Sequence, residues 1–174
     1  WDADLEAHRR RGGRIIGICG GLQMLGRMVR DPQGVEGGET ATEGLGFLDI
    51  ETEMAPEKTV RNISARSAEY DVALSGYEIH LGVSKGADAV RPMTILDGRP
   101  DGAMSPDGRV SGTYLHGLFD SDEYRARLLA EFGIRGGESN YRADVDRALD
   151  EIAEELDRLV GFKQLMRISA PIGR

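Results

Sequence analysis

A chain of 174 residues can bury one core of ordinary size, and is too short for two comfortable ones. With 40% hydrophobic and 30% charged residues it has globular composition, and its formal charge of −8 argues against nucleic acid and anionic membranes as partners. No apolar run reaches membrane-spanning length, and the single cysteine excludes an internal disulfide and fits a reducing compartment, the cytoplasm.

In chain order, residues 2–11 are expected to form a charged helix opened by Asp2 and stopped by Gly12-Gly13. Its basic end, Arg9-Arg10-Arg11, reads as a solvated helix terminus. Arg14-Ile15-Ile16-Gly17-Ile18 is the short β-branched run of a buried parallel strand. Leu22, Leu25, Met28 and Val29 then recur at helical spacing, so a helix is predicted to about Arg30, ending at Asp31-Pro32. Residues 31–46 are rich in Gly, Glu and Thr and read as a long loop.

Strands are predicted at 48–52, 60–63, 72–74 and 77–83, with 90–96 interrupted by Pro92. Asp97-Gly98 and Ser105-Pro106-Asp107-Gly108 are turn signals, the second closing a hairpin onto residues 109–115. Two helices follow. Tyr124, Leu128, Leu129 and Phe132 share a face before Gly133, and Val145, Leu149, Ile152, Leu156 and Leu159 form a stripe suited to packing on a sheet.

The densest chemical signal is Gly17-Ile18-Cys19-Gly20-Gly21-Leu22-Gln23. A cysteine between a buried strand and a helix start, flanked by glycines, is a nucleophile elbow. Gly17 and Gly21 let the chain turn sharply and the two elements pack closely, and the Gly20 N–H is placed to stabilise an oxyanion. Helix-terminal amides favour a thiolate there. Of the three histidines, His8 lies in the charged first helix and His80 follows Gly76-Tyr77-Glu78-Ile79. His116 ends an apolar strand before Gly117, where catalytic groups of open α/β sheets gather, and is the candidate base. One cysteine and scattered histidines lack metal-ligand spacing, so no metal is expected.

Four segments in order, Gly17 to Gly26, Gly44-Leu45-Gly46, Gly76 to Gly82 and Gly112 to Phe119, resemble the class I-like glutamine amidotransferase domain of the cobyric acid synthases. The resemblance implies an α/β fold with an open, mostly parallel central sheet flanked by helices. It also implies that residues 1–174 are a partial amidotransferase domain, with its opening strands and an N-terminal synthetase domain lying upstream. That synthetase would use ATP and Mg, whereas no cofactor is expected in this domain.

The implied chemistry is hydrolysis of glutamine, the ammonia passing to the synthetase domain for ligation onto carboxylates of a corrin during cobalamin biosynthesis. Cys19 would form a glutamyl thioester, His116 would serve as base and then acid, and Gln23 would hold the glutamyl group. A second oxyanion donor would come from an upstream loop. Class I enzymes carry a glutamate two residues after the histidine; here the position is Leu118, a gap shared by the cobyric acid synthases. Glu78 and Asp120 are the candidates for orienting His116, and His80 for lining the site. Two alternatives remain open: the amidotransferase domain of a cobyrinic acid a,c-diamide synthase, and a non-catalytic regulatory module of the same fold.

Overall fold

The computed structural model describes residues 1–38, 40–136 and 140–169. The chain divides into two compact units, Trp1–Arg135 and Gly136–Arg174. In the first, helix α1 (Asp2–Arg10) has Trp1 rather than Asp2 at its cap position. It ends where Gly12 takes a φ of 82°. Strand β1 (Ile15–Ile18) leads into helix α2 (Gly20–Leu25).

Helix α2 is shorter than its apolar spacing predicts. Gly26 is extended, with φ −71° and ψ −176°, and Met28–Arg30 forms strand β2 instead of further helix. The competing interaction is the Gly44-Leu45-Gly46 segment. The Leu45 and Gly46 amides donate to the carbonyls of Met24 and Gly26, each at 2.8 Å, and the Leu48 amide donates to Leu25. These loop donors satisfy the helix's last carbonyls, so the helix stops there. The expected loop also contains a short strand, β3 (Ala41–Glu43), paired antiparallel with β2.

The strands predicted at 48–52 and 60–63 belong in large part to one long strand, β4 (Glu51–Ser67), with Leu48 and Ile50 buried just before it. Those predicted at 72–74 and 77–83 likewise fuse into β5 (Ala73–Lys85). The two pair as a hairpin, with a register shift between Met54 and Thr59 around Pro56. A 3-10 turn at Ala87–Val90 and strand β6 (Thr94–Leu96) flank Pro92. Asp97 and Gly98, both at positive φ (46° and 81°), turn β6 into β7 (Arg99–Asp101) as a type I′ hairpin requires. The Ser105–Gly108 turn joins β8 (Ala103–Met104) to β9 (Val110–Thr113), as expected. Strand β10 (Leu115–His116), a 3-10 turn at Leu118–Asp120 and helix α3 (Asp122–Glu131) complete the unit.

The α/β class and the open sheets hold, and the parallel character is limited. Strand order is β1-β9-β8 in one sheet and β10-β5-β4-β2-β3 in the other, with β6 beside β4 and β7 beside β6. Only β1–β9 and β2–β4 run parallel among the described residues. Hairpin connections make β4–β5, β6–β7 and β8–β9 antiparallel, and β2–β3, β4–β6 and β5–β10 pair antiparallel as well. Two apolar clusters fill the unit, one around Ile63, Leu96, Leu115 and Leu118, the other around Leu22, Leu25, Ile50 and Val110.

The second unit contains helix α4 (Tyr141–Leu159), capped by the Asn140 side chain, and helix α5 (Phe162–Ile168). Within this unit the stripe of Val145, Leu149, Ile152, Leu156 and Leu159 is exposed.

Candidate active site

Cys19 occupies the turn between β1 and α2 at φ 55°, ψ −114°, a backbone state that L-residues seldom adopt. The parallel ladder runs into it, for the Cys19 amide donates to the Thr113 carbonyl at 2.9 Å. The Leu22 and Gln23 amides return to the Cys19 carbonyl at 3.0 and 3.4 Å and start the helix. Gly17 is sterically required: a Cβ there would come within 2.6 Å of the Gly21 backbone and the Leu25 side chain. At Gly20 and Gly21 a Cβ would meet nothing within 4 Å, so their outer faces are open beside the half-buried thiol.

Strand β5 gathers the predicted partners. The Cys19 thiol donates to the Ile79 carbonyl at 3.4 Å. His116 pairs in register with Tyr77, and its ring stacks on the Tyr77 ring at 4.8 Å between centroids and 8° between planes. The thiol meets the Ile79 backbone and the imidazole meets the Tyr77 ring, two residues apart on the same strand. His116 Nε2 is buried and has no hydrogen-bond partner. A buried, unsatisfied ring nitrogen is costly and rare in a purely structural histidine.

Gln23 is held rather than exposed. Its Nε2 donates to the Tyr114 hydroxyl at 3.3 Å, and that hydroxyl shares a 2.7 Å hydrogen bond with Ser84, which bonds Thr52 in turn. Burial pushes the Tyr114 phenol up from its ordinary value, so it stays a neutral donor. Gly82 makes room, since a Cβ there would come 2.6 Å from Gln23 Nε2.

Glu78 and Asp120 do not bond the His116 ring. Glu78, 3% exposed, receives Arg61 Nε at 2.6 Å and Arg99 Nη2 at 3.3 Å, and lies 3.7 Å from His80 Nε2. Asp120 folds back on Gly117, where a Cβ would come 3.3 Å from its Oδ2. His80 stacks on Tyr114 at 3.9 Å, with its Nδ1 at 2.8 Å from the Gly82 carbonyl. Arg61, Glu78, His80, Arg99, Asp101 and Tyr114 line a cavity of about 320 Å³. A larger groove, about 620 Å³ around Arg27, Met54 and Lys85, includes neither Cys19 nor His116.

Sequence reasoning gave no role to Tyr114, Tyr77 or Asp101. The two tyrosines lie inside the recognised motifs. Asp101 has no local signal, because its three hydrogen-bond donors, Thr94, Thr113 and Tyr114, lie seven or more residues away. Among the described residues, no group of three or more His, Cys, Asp or Glu side chains converges as a metal site would. Nor is any described helix long and apolar enough to cross a membrane.

A strained cysteine elbow on an α/β scaffold, with a held glutamine in the helix it opens, is the frame of a glutamine amidotransferase domain. Residues 1–124 match the model of the CobB/CobQ-like glutamine amidotransferase domain, and the chain belongs to that family. It is 69% identical over 158 residues to a cobyric acid synthase of Rhizobium etli, covering 91% of this chain and 33% of that protein. It is 67% identical to the cobyric acid synthase of Rhizobium meliloti (92% and 33% covered) and 64% to that of Sinorhizobium fredii (97% and 35%). The chain thus spans about a third of the length of these relatives.

Proposed function

We propose that this domain hydrolyses glutamine to glutamate and ammonia by cysteine–histidine nucleophilic catalysis. The observation that carries the reading is that Cys19 and His116 both meet β5, at Ile79 and Tyr77, two residues apart, with His116 Nε2 unpartnered. Cys19 Sγ attacks the carboxamide carbon as His116 takes the thiol proton. The C–N bond breaks, His116 returns the proton to the departing ammonia, and water releases glutamate from the thioester. The Gly20 N–H, next after the nucleophile, supplies an oxyanion donor, and the Cβ side of Gly20 is open. Gln23, fixed by Tyr114, holds the glutamyl group.

The relatives' names extend the proposal. The ammonia passes to an ATP- and Mg-dependent synthetase domain that amidates corrin carboxylates in cobalamin biosynthesis, and nothing in this chain is asked to hold those cofactors. We place the domain in the cytoplasm, where a nucleophilic thiol stays reduced.

The test is Cys19→Ala in the full-length protein. Glutamine-dependent amidation should vanish while ammonia-dependent amidation persists. Equal loss of both would make the cysteine structural.

A further inference from the structure

On β7, hydrogen-bonded to neither Cys19 nor His116, lies a half-buried carboxylate. Asp101 Oδ2 accepts three hydrogen bonds: from Thr113 Oγ1 at 2.5 Å, from Thr94 Oγ1 at 3.0 Å and from the Tyr114 amide at 3.0 Å. Thr94 and Thr113 are fully buried, and their hydroxyls lie 2.8 Å apart. Gly102, at φ 75°, allows this approach, because a Cβ there would come 1.9 Å from the Gly112 carbonyl oxygen.

The groups Asp101 holds are those from which the candidate site hangs. The Thr113 carbonyl receives the Cys19 amide at 2.9 Å, and so sets the backbone of the elbow. Thr113 Oγ1 accepts the Leu115 amide at 3.0 Å, one residue before His116. Tyr114, whose amide Asp101 receives, carries the hydroxyl that holds Gln23 and the ring that stacks on His80. No other residue among those described is bonded to all of these supports.

We propose that Asp101 is a positioning residue for glutamine hydrolysis, setting the mutual placement of the elbow cysteine, the histidine strand and the glutamine-holding tyrosine through Thr113 and Tyr114. This inference rests on the functional reading above. Removal of the carboxylate leaves the Thr113 hydroxyl and the Tyr114 amide without their acceptor in a buried layer, and the 113–115 segment shifts to find others. Displacement of reacting groups by about 1 Å costs on the order of a hundredfold in rate.

The experiment uses the full-length protein with Cys19→Ala as reference. Asp101→Ala should lower kcat for glutamine hydrolysis about a hundredfold, leave ammonia-dependent amidation within about twofold, and slow alkylation of Cys19 by iodoacetamide. Asp101→Asn keeps an acceptor oxygen and should recover to within about tenfold of the wild type. Thr113→Val, which removes the bridging hydroxyl, should lower kcat on its own, and it carries the test together with Asp101→Asn if the alanine variant does not fold. Wild-type kcat in Asp101→Ala or Thr113→Val overturns the inference. So does equal loss of the glutamine- and ammonia-dependent reactions, which marks a merely structural carboxylate. In both cases the functional reading stands so long as the wild type hydrolyses glutamine and Cys19→Ala does not. A wild type without glutaminase activity defeats that reading, and the inference with it.

Discussion

Gly76 and His116 touch through their backbones. A Cβ on Gly76 would lie 1.8 Å from the His116 carbonyl oxygen, so only glycine lets β10 approach β5 at this point. The ladder here is two residue pairs long, Leu115 with Glu78 and His116 with Tyr77, and it aligns the imidazole over the Tyr77 ring.

Gly76→Ala should therefore push β10 away from β5. The expected cost is about 1–3 kcal/mol of stability from overpacking, with glutamine hydrolysis falling more steeply than the ammonia-dependent reaction. Melting temperature and the two assays report these separately. An alanine variant with wild-type glutamine turnover would show that the histidine's register is irrelevant.

His116→Asn removes the proposed proton acceptor while leaving a polar group of similar reach. It should slow both thioester formation and alkylation of Cys19 near neutral pH, because the thiol loses its route to deprotonation. Iodoacetamide kinetics across pH 6–9 make the measurement. Unchanged alkylation together with unchanged turnover would remove His116 from the mechanism.

Tyr114→Phe deletes the hydroxyl that receives Gln23 and connects to Ser84. A hydrogen bond of this kind contributes about 0.5–1.5 kcal/mol net, so KM for glutamine should rise about two- to tenfold, with kcat less affected. A drop in kcat at constant KM would mean that the tyrosine acts on the transition state and not on the holding of the glutamyl group.

Asp101 makes stability depend on pH. Burial pushes its carboxyl above the ordinary value of 3.8, outweighing the hydrogen bonds from Thr113, Tyr114 and Thr94 that pull it down. A raised folded-state value contributes stability that is fully present below the unfolded value and is lost as pH rises through the folded one. Asp101→Asn does not titrate. Thermal melts of the two proteins between pH 4 and 7 should thus show the wild type losing ground to Asp101→Asn as pH rises. The opposite trend would mean that the hydrogen bonds outweigh burial.

Local chemistry made several features legible from residues alone. The β-branched run before Gly17, the glycines around Cys19, the positive-φ pair Asp97-Gly98 and the Ser105–Gly108 turn each encode their conformation within a few positions. Helical spacing misled after Leu25, because the Gly44–Gly46 loop, distant in sequence, takes up the helix's last carbonyls. The interval between the two predicted strands that merge into β4 looked irregular because Pro56 and its charged neighbours lack strand propensity. The ladder with β5 pairs Glu51–Met54 and Thr59–Arg66 on either side of that interval, and so carries one strand across it.

By itself the sequence determined that this chain carries a cysteine elbow, a later strand-end histidine and Gln23 at the start of the elbow helix, since each is a short-range pattern of residue type and spacing. Only the tertiary structure decided how they meet. It tied the thiol to Ile79, stacked His116 on Tyr77, secured Gln23 to Tyr114, and turned Glu78 toward Arg61 and Arg99 rather than toward the histidine. The physical reason is that hydrogen-bond direction, ring stacking and burial depend on strand register between segments far apart in the chain, and no local pattern of residues encodes that register.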